Sequence, residues 1–252
     1  MTELPLLNKS ALITGGSRGI GKASALKLAS HGCDVAIGYF NSSDEADAIV
    51  EELQQMGRKS FAVQVNVSDR KSIAEMAGIY KEHFDKCDVF VSNAASGVLK
   101  PNMEMNVKHW RWCMETNALA LNEITRQMKP IMPNGSRIVA MSSLGASRAI
   151  PHYGFIGASK AALEAIVRQL SLELAPDDIS VNTISAGVID TDALKHFPNR
   201  EHLLEDYRKH SLSNEDLCEQ DVADVLYLLC LPEAKMIRGQ TIYVDAGYSI
   251  VG

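Results

Sequence analysis

A tyrosine and a lysine seven positions apart have the side-chain chemistry of an acid and its supporting cation. Tyr153 and Lys160 lie in the segment IPHYGFIGASKAALEAI, which has the apolar spacing of a helix. At about 100° per residue, seven residues make close to two turns, so both side chains can point toward one site. A phenol can donate a proton, and a nearby ammonium can lower its pKa and stabilise an oxyanion. Ile156, four positions before the lysine, cannot transfer a proton.

Seven short β-branched segments alternate with longer amphipathic segments and are the predicted strands. They cover residues 10–14, 34–39, 60–65, 88–92, 137–142, 179–185 and 240–244. Strands joined by helices predict a parallel sheet that is covered on both faces and connected by right-handed crossovers. The expected fold is a single α/β domain over residues 1–252, Rossmann-like and doubly wound, with ligands at the carboxyl ends of the strands.

A glycine-rich loop follows the first predicted strand. It reads TGGSRGIG, with the spacing G-x-x-x-G-x-G, and a helical segment comes directly after it. Glycines at such a junction let a pyrophosphate approach backbone N–H groups and the positive end of a helix. The order of strand, loop and helix predicts a dinucleotide site. Its predicted residues are Gly15, Ser17, Arg18, Gly19, Ile20 and Gly21.

The end of the second predicted strand indicates which dinucleotide is bound. An Asp or Glu there would accept hydrogen bonds from a ribose 2′-hydroxyl, but the chain reads IGYFNSSDE. Asn41 and Ser42 can donate to a phosphate, and Arg18 adds a positive charge. Asp44 and Glu45 are expected to begin the next helix, where acidic residues suit the helix dipole. These residues favour NADPH over NADH.

The composition excludes several classes of function. The chain has 252 residues, a net charge of -6, and 46% hydrophobic residues. A negative net charge argues against general binding of nucleic acid, and no apolar run is long enough to span a membrane. No secretory signal is recognisable, and five cysteines without C-x-x-C spacing predict neither a zinc site nor a disulfide framework. A cytoplasmic protein without a metal is expected.

Motifs along nearly the whole chain resemble those of the short-chain dehydrogenase/reductase superfamily. They are TGGSRGIG, NAAS, METNAL, MSSLG, the Tyr and Lys segment, SAGVIDT and IRGQTIYVDAG. The segments SSLGASRAIPHYGFIGASKAALEA and GVIDTDALKHFPNRE are most similar to enoyl-acyl-carrier-protein reductases, particularly the NADPH-dependent type III enzymes. That family carries Tyr-x6-Lys, where the superfamily more commonly carries Tyr-x3-Lys.

The resemblance implies reduction of the C2=C3 double bond of a trans-2-enoyl thioester, carried by acyl carrier protein or coenzyme A. Hydride would reach C3, Tyr153 would hold the enolate, and Lys160 would hold the nicotinamide ribose. In this reaction charge develops on an oxygen two carbons from the carbon that receives hydride, so a more distant acid suits it. On a helix, the longer spacing moves the phenol's backbone by roughly 4.5 Å along the axis.

Further site residues follow from the same resemblance. Ser143 occupies the catalytic serine position, where it either bonds the thioester oxygen or has no remaining role. Asn117 matches an asparagine that supports a proton-relay water through the helix backbone. The remaining cofactor contacts would be Asn66 and Val67 at the adenine, Asn93, Ala94 and Ala95 under the nicotinamide ribose, Gly187 and Ile189 at the nicotinamide, and Thr191 at a phosphate or carboxamide.

Residues 192–212 are the expected substrate-binding region. Arg200, Arg208 and Lys209 lie there among acidic residues, either on a solvated amphipathic helix or on a face that meets an acidic carrier protein. Trp110 and Trp112, near the start of a long fourth helix, are expected in the core or at an interface. Relatives commonly form tetramers through the fourth and fifth helices and the C-terminal strand, so a homotetramer is expected.

Other functions stay open at this stage. The nearest alternative is a reductase that acts on a ketone, a 3-oxoacyl thioester or a specialised-metabolite enone, with Tyr153 aimed differently. A second is a cofactor-binding protein that has lost turnover. The segment KHSLSNEDLCEQDV departs from the family pattern, which leaves both primary fatty-acid synthesis and a dedicated biosynthetic pathway open.

Overall fold

The computed structural model describes residues 4–192, 194–197 and 199–251. These residues form one sheet of seven parallel strands in the order β3-β2-β1-β4-β5-β6-β7. The strands are β1 (Ser10–Thr14), β2 (Asp34–Tyr39), β3 (Ser60–Gln64), β4 (Val89–Ser92), β5 (Arg137–Ser143), β6 (Ser180–Ala186) and β7 (Thr241–Val244). Each bound lies within one residue of the predicted one. The expected doubly wound α/β domain is therefore confirmed.

Helices connect the strands and cover both faces of the sheet. They are α1 (Gly19–Ser30), α2 (Ser43–Gln55), α3 (Arg70–His83), α4 (Val107–Met114), α5 (Ala120–Met128), α6 (Gly154–Glu173), α7 (Arg200–His210) and α8 (Glu219–Cys230). The predicted long fourth helix is thus two α-helices, and a π-helical turn at Glu115–Leu119 joins them. None of the described helices is long and apolar enough to cross a membrane.

Two hydrophobic clusters fill the space between the sheet and its helices. On one face, Tyr80 of α3, Leu121 of α5 and Leu163 of α6 belong to one buried cluster. On the other, Leu28 of α1 and Leu226 of α8 belong to the second. Because both faces are covered, all five residues of β1 are buried, as expected for a central parallel strand.

The strand order reverses direction beside β1, and this reversal locates the ligand crevice. β1 pairs with β2 on one side and with β4 on the other. The connections from these two neighbours leave toward opposite sides, which opens a crevice at the carboxyl ends of the strands. Thr14 ends β1 there, and its hydroxyl accepts hydrogen bonds from the backbone N–H groups of Asn93 and Ala94 at 3.1 and 3.2 Å. The loop after β4 is thereby held against the end of β1.

Candidate active site

A cavity of about 730 Å³ lies at the carboxyl ends of the strands, beside this crevice. All of the residues predicted for catalysis or cofactor binding line it, except Gly21 and Asn117. The lining comes from loops that follow six different strands, β1 to β6, so residues far apart in the chain meet at one edge of the sheet. This convergence is the expected consequence of parallel strands that end together.

The glycine loop has the backbone geometry that a bound pyrophosphate needs. Gly15 and Gly19 have φ angles of +66° and +55°, in the region that favours glycine. A Cβ at Gly19 would meet no atom within 4 Å, so the start of α1 faces open space. A Cβ at Gly21 would instead overlap the carbonyl oxygen of Gly15, so this glycine lets the helix pack closely on the loop. Gly21 therefore supports the binding loop from behind.

Asn93 joins the glycine loop to the end of β4. Its Nδ2 donates to the carbonyl oxygens of Thr14 at 3.1 Å and Gly15 at 2.9 Å. The side chain thereby fixes the loop while the residue lines the cavity.

The wall of the cavity after β2 carries no carboxylate among residues 38–42. Asn41 and Ser42 line it together with Arg18, whose side chain is exposed at the start of α1. Asp44 and Glu45 lie in the first turn of α2, as predicted. An arginine with nearby hydroxyl and amide donors suits a phosphate on the ribose, because each can donate hydrogen bonds to it.

Tyr153 precedes helix α6 and occupies its N-cap position, with φ -109° and ψ 8°. The residue before it, His152, has a φ of +64°, which bends the chain just before the helix begins. Tyr153 thus caps the helix on which Lys160 lies, and its carbonyl oxygen accepts the hydrogen bond from the backbone N–H of Gly157 at 2.7 Å. The predicted 4.5 Å displacement of the phenol's backbone along the helix axis stays a prediction. A turn positions the phenol, in which the backbone N–H of Tyr153 donates to the carbonyl oxygen of Ile150 at 3.2 Å.

The phenol of Tyr153 lies 3.1 Å from the hydroxyl of Ser143, within hydrogen-bond distance. A Cβ at Gly145 would overlap the tyrosine ring, while the ring of Phe197 lies on another side with its centroid 5.7 Å away. Burial raises the pKa of the Tyr153 phenol, and the hydrogen bond with Ser143 opposes that rise. The phenol therefore keeps its proton at neutral pH and can donate it.

Lys160 is buried, and its Nζ donates to the carbonyl oxygen of Met141 at 2.7 Å. Burial lowers the pKa of Lys160 to about 8, and the Glu164 carboxylate one turn further along α6 opposes this. Lys160 was expected to lower the pKa of Tyr153. In the described part of the chain the hydroxyl of Ser143 has that effect instead, because it contacts the phenol directly. Two of the three ammonium donors of Lys160 remain for another partner.

Ile156 occupies the position four before Lys160 and is 8% exposed. A Cβ at Gly97 would overlap its side chain, so Ile156 packs directly against the loop after β4. Hydrocarbon therefore fills the space beside the lysine on this side of α6.

Asn117 lies in the π-helical turn between α4 and α5 and is 3% exposed. Its amide accepts from the backbone N–H of Ser96 and donates to the carbonyl oxygen of the same residue, both at 2.8 Å. It also donates to the hydroxyl of Ser159 on α6 at 2.9 Å. Asn117 thus joins three elements behind the cavity wall, and the proton-relay role predicted for it stays a prediction.

Several apolar residues of the cavity were missing from the predicted site. They are Trp112, Leu144 and Ile150, and together with Phe197 and Leu203 of the expected substrate-binding region 192–212 they make up the apolar wall of the cavity. Trp112 was expected in the core or at an interface, whereas part of it lines the cavity. Their positions after β4 and β5 were the available signal, since segments at this edge of a parallel sheet surround the ligand.

Acidic residues pair with the basic residues around α7. Arg200 donates two hydrogen bonds to Asp190, at 3.0 and 2.6 Å, and Arg208 contacts Asp216 at 2.6 Å. The first pair joins the start of α7 to the loop after β6, and the second joins its last turn to the segment before α8. The expectation of a basic face for a carrier protein is weakened, because these arginines have internal partners.

Comparisons with known proteins agree with this geometry. A family model described as enoyl-(acyl carrier protein) reductase matches residues 15–249. The 1-cyclohexenylcarbonyl-CoA reductase of Streptomyces collinus is 36% identical over 243 residues, covering 96% of this chain and 87% of the relative. The 3-oxoacyl-(acyl-carrier-protein) reductase FabG of Staphylococcus epidermidis is 33% identical over 247 residues, covering 96% and 99%.

The fold comparison gives the same result. The solved structure of a short chain dehydrogenase from Burkholderia cenocepacia, in complex with NADP, matches with a TM-score of 0.91 at 30% identity. The match covers 97% of this chain and 99% of that one. With the family model and relatives above 30% identity spanning nearly all of its length, the chain belongs to the short-chain dehydrogenase/reductase family of oxidoreductases.

Proposed function

We propose that this protein uses NADPH to reduce the C2=C3 double bond of a trans-2-enoyl thioester carried by coenzyme A or acyl carrier protein. The observation that carries the proposal is the placement of Tyr153. Its phenol lines the cavity seven residues before Lys160, while the position four before the lysine holds the buried Ile156. An acid displaced from the usual position suits a substrate whose developing charge lies away from the carbon that receives hydride.

The cavity fits the cofactor on three observations. The loop glycines have positive φ angles, the start of α1 faces open space, and the β2 end of the cavity offers donors without a carboxylate. Backbone N–H groups of residues 15–21 would hold the pyrophosphate, and Arg18, Asn41 and Ser42 the 2′-phosphate. The relative from Burkholderia cenocepacia was solved with NADP, which supports the same choice.

The residues around Tyr153 perform the acid's part of the reaction. When bound, NADPH would supply the hydride that C3 of the substrate receives. The Tyr153 Oη–H donates to the thioester oxygen as negative charge develops there, and Ser143 orients the phenol through their hydrogen bond. Lys160, fixed by Met141, would use its remaining donors on the nicotinamide ribose. A proton from water then reaches C2, which completes the addition of one hydride and one proton.

The apolar wall and the region 192–212 have a proposed role in binding the acyl chain. Phe197 and Leu203 line the cavity, and the ring of Phe197 lies next to that of Tyr153 with centroids 5.7 Å apart. We propose that this region closes over the substrate and excludes water, which strengthens the hydrogen bonds to the developing oxyanion.

The test follows NADPH absorbance with crotonyl and acetoacetyl thioesters, each on coenzyme A and on acyl carrier protein. We expect oxidation with the crotonyl substrates and a loss of about 10²-fold or more in kcat for Tyr153→Phe, because the acid is removed. Tyr227→Phe is the matched control, since Tyr227 is a half-buried tyrosine on α8 that does not line the cavity. Turnover of the acetoacetyl substrates alone would contradict the proposal.

A second candidate is reduction of a 3-oxoacyl thioester. The hydrogen-bond distance between Ser143 and Tyr153 favours it, because a hydroxyl pair of this kind can also polarise a ketone oxygen. The FabG relative carries that activity in its name. The two candidates differ in the same assay, since acetoacetyl thioesters offer the ketone and crotonyl thioesters only the double bond.

A further inference from the structure

A second cavity, of about 300 Å³, shares Tyr153 with the first. Tyr153 and Ile150 line both cavities, so the two are neighbours at the proposed acid. Its remaining lining comes from the segment after β4, the segment between β5 and α6, and the first turn of α6. The second cavity therefore opens beside the reacting end of any substrate that Tyr153 contacts.

The second cavity is basic. Lys100, Arg148 and His152 line it, and its described lining includes no carboxylate. No salt bridge joins these three residues to an acid in the described part of the chain, in contrast to the paired arginines of α7. An uncompensated group of basic side chains around a concave site attracts an anion.

The side chains at the opening are placed by contacts with other elements. Arg148 donates to the carbonyl oxygen of Ser249 and lies over the ring of Tyr248, 5.8 Å from its centroid, which leaves other guanidinium N–H groups for a ligand. Lys100 is exposed. The side chain of Asn102 lies where a Cβ of Gly154 would be, so its amide is held against the start of α6.

We propose that the second cavity binds the pantetheine arm of the thioester substrate, and that Lys100 and Arg148 hold the phosphate at the end of that arm. The inference rests on the thioester part of the proposed function. An extended pantetheine arm spans about 15 Å at the rise per bond of an extended polypeptide. The thioester would lie at Tyr153, the amides of the arm beside Asn102, and the phosphate at the exposed basic opening. Both coenzyme A and acyl carrier protein supply this phosphate.

The experiment compares crotonyl-coenzyme A with crotonyl-N-acetylcysteamine, which ends before the phosphate. For the wild type at saturating NADPH, we expect a lower KM for the coenzyme A thioester. The ratio of the KM for crotonyl-N-acetylcysteamine to the KM for crotonyl-coenzyme A should fall about fivefold in Lys100→Ala and in Arg148→Gln, because each variant loses one exposed charge contact. The KM for crotonyl-acyl carrier protein should rise in both variants, as the KM for crotonyl-coenzyme A does.

Lys81→Ala is the control variant. It removes an exposed lysine of α3 that lines neither cavity, and it should leave the ratio of the two KM values unchanged. Equal increases in KM for both small thioesters would overturn the inference, because the effect would then be structural. If the variants raise the KM for crotonyl-coenzyme A but not that for crotonyl-acyl carrier protein, the assignment to the phosphate that both carriers share is overturned.

Failure of the proposed function gives a different result from failure of this inference. If only acetoacetyl thioesters are reduced, the same ratio is measured with acetoacetyl-coenzyme A and acetoacetyl-N-acetylcysteamine. If neither class turns over, binding of 4′-phosphopantetheine and of pantetheine to the NADPH-bound protein replaces the kinetics. Equal affinity for these two probes in the wild type would overturn the inference.

Discussion

Burial shifts the pKa values of Tyr153 and Lys160 in opposite directions, but both shifts favour the uncharged side chain. The pKa of the buried phenol rises and that of the buried ammonium falls, so both environments favour the neutral form. Ser143 and Glu164 each oppose the effect on one member of the pair. The tyrosine consequently holds a transferable proton near neutral pH, and the lysine begins to lose its charge near pH 8.

The depressed pKa of Lys160 predicts a pH-dependent stability. The lysine has a pKa of about 8 when folded and 10.5 ordinarily, so the unfolded state binds more protons between these values. The free energy of unfolding of the cofactor-free protein should therefore rise with pH in this window relative to Lys160→Met, by at most about 3 kcal/mol. Urea unfolding followed by circular dichroism between pH 7 and 9.5 measures the early part of this rise.

The matched control for this prediction is Lys81→Met, which replaces an exposed lysine. Its difference from the wild type should stay constant over the same pH range. A constant difference for Lys160→Met as well would contradict the low pKa of this lysine.

At the scale of elements, short turns and close helix contacts place the chemistry. The turn before α6 presents Tyr153, and Gly145 in the segment after β5 leaves room for its ring. The π-helical turn brings the Asn117 amide to the backbone of Ser96 and to α6. These contacts fix the relative positions of side chains that lie on different loops.

Gly145→Ala should displace the Tyr153 ring and reduce kcat by about tenfold or more, since small misplacements of an acid are costly. The new Cβ would overlap the ring, so the ring must move from Ser143. Gly78→Ala on α3 is the matched control, because a Cβ there meets no atom within 4 Å and a helical alanine should stabilise by about 1 kcal/mol. Steady-state kinetics and thermal unfolding of both variants test this, and unchanged kcat in Gly145→Ala would contradict it.

The Arg200–Asp190 pair should restrain the start of α7. Arg200→Ala is expected to speed limited proteolysis within residues 192–212 and to raise KM, because the two hydrogen bonds at 3.0 and 2.6 Å are lost. The pair is exposed, so the difference should shrink as salt rises. Arg70→Ala, which removes an exposed arginine of α3, serves as the charge-matched control. Identical cleavage of wild type and Arg200→Ala at low salt would argue against this restraint.

At the scale of the whole molecule, α4 and α6 present a shared apolar face. Trp110 packs edge-on against Phe155 with centroids 5.4 Å apart, and Leu172 further along α6 is 70% exposed. We propose that this face and the half-buried edge strand β7 form the contacts of a homotetramer, since exposed apolar patches mark interfaces. The sheet itself remains covered within one chain.

Leu172→Glu should weaken the proposed tetramer, because it places a charge in the buried contact between protomers. Sedimentation velocity at several protein concentrations should show the wild type as a tetramer and the variant as smaller species. Leu228→Glu is the control, since Leu228 is also exposed but lies on α8. A wild type that sediments as a monomer would refute the proposed assembly.

Local sequence patterns were sufficient to predict the strands and the cofactor-binding half of the site. The strands were predicted within one residue because each is a short β-branched segment between polar turns, and that pattern depends only on neighbours in the chain. The glycine loop and the residues after β2 were predicted for a similar reason. Each depends on one strand, one turn and one helix start.

The tertiary structure decided which loops meet and which charges are already paired. Sequence alone placed Tyr153 at the start of a helix and acidic residues among Arg200 and Arg208, but it did not show which acids pair with these arginines or link Lys100 to Arg148. In the structure Tyr153 caps α6, acids pair with both arginines, and the two other basic residues line one cavity. Such contacts join segments distant in the chain, so they depend on the packing of the whole sheet and its helices, which no local periodicity encodes.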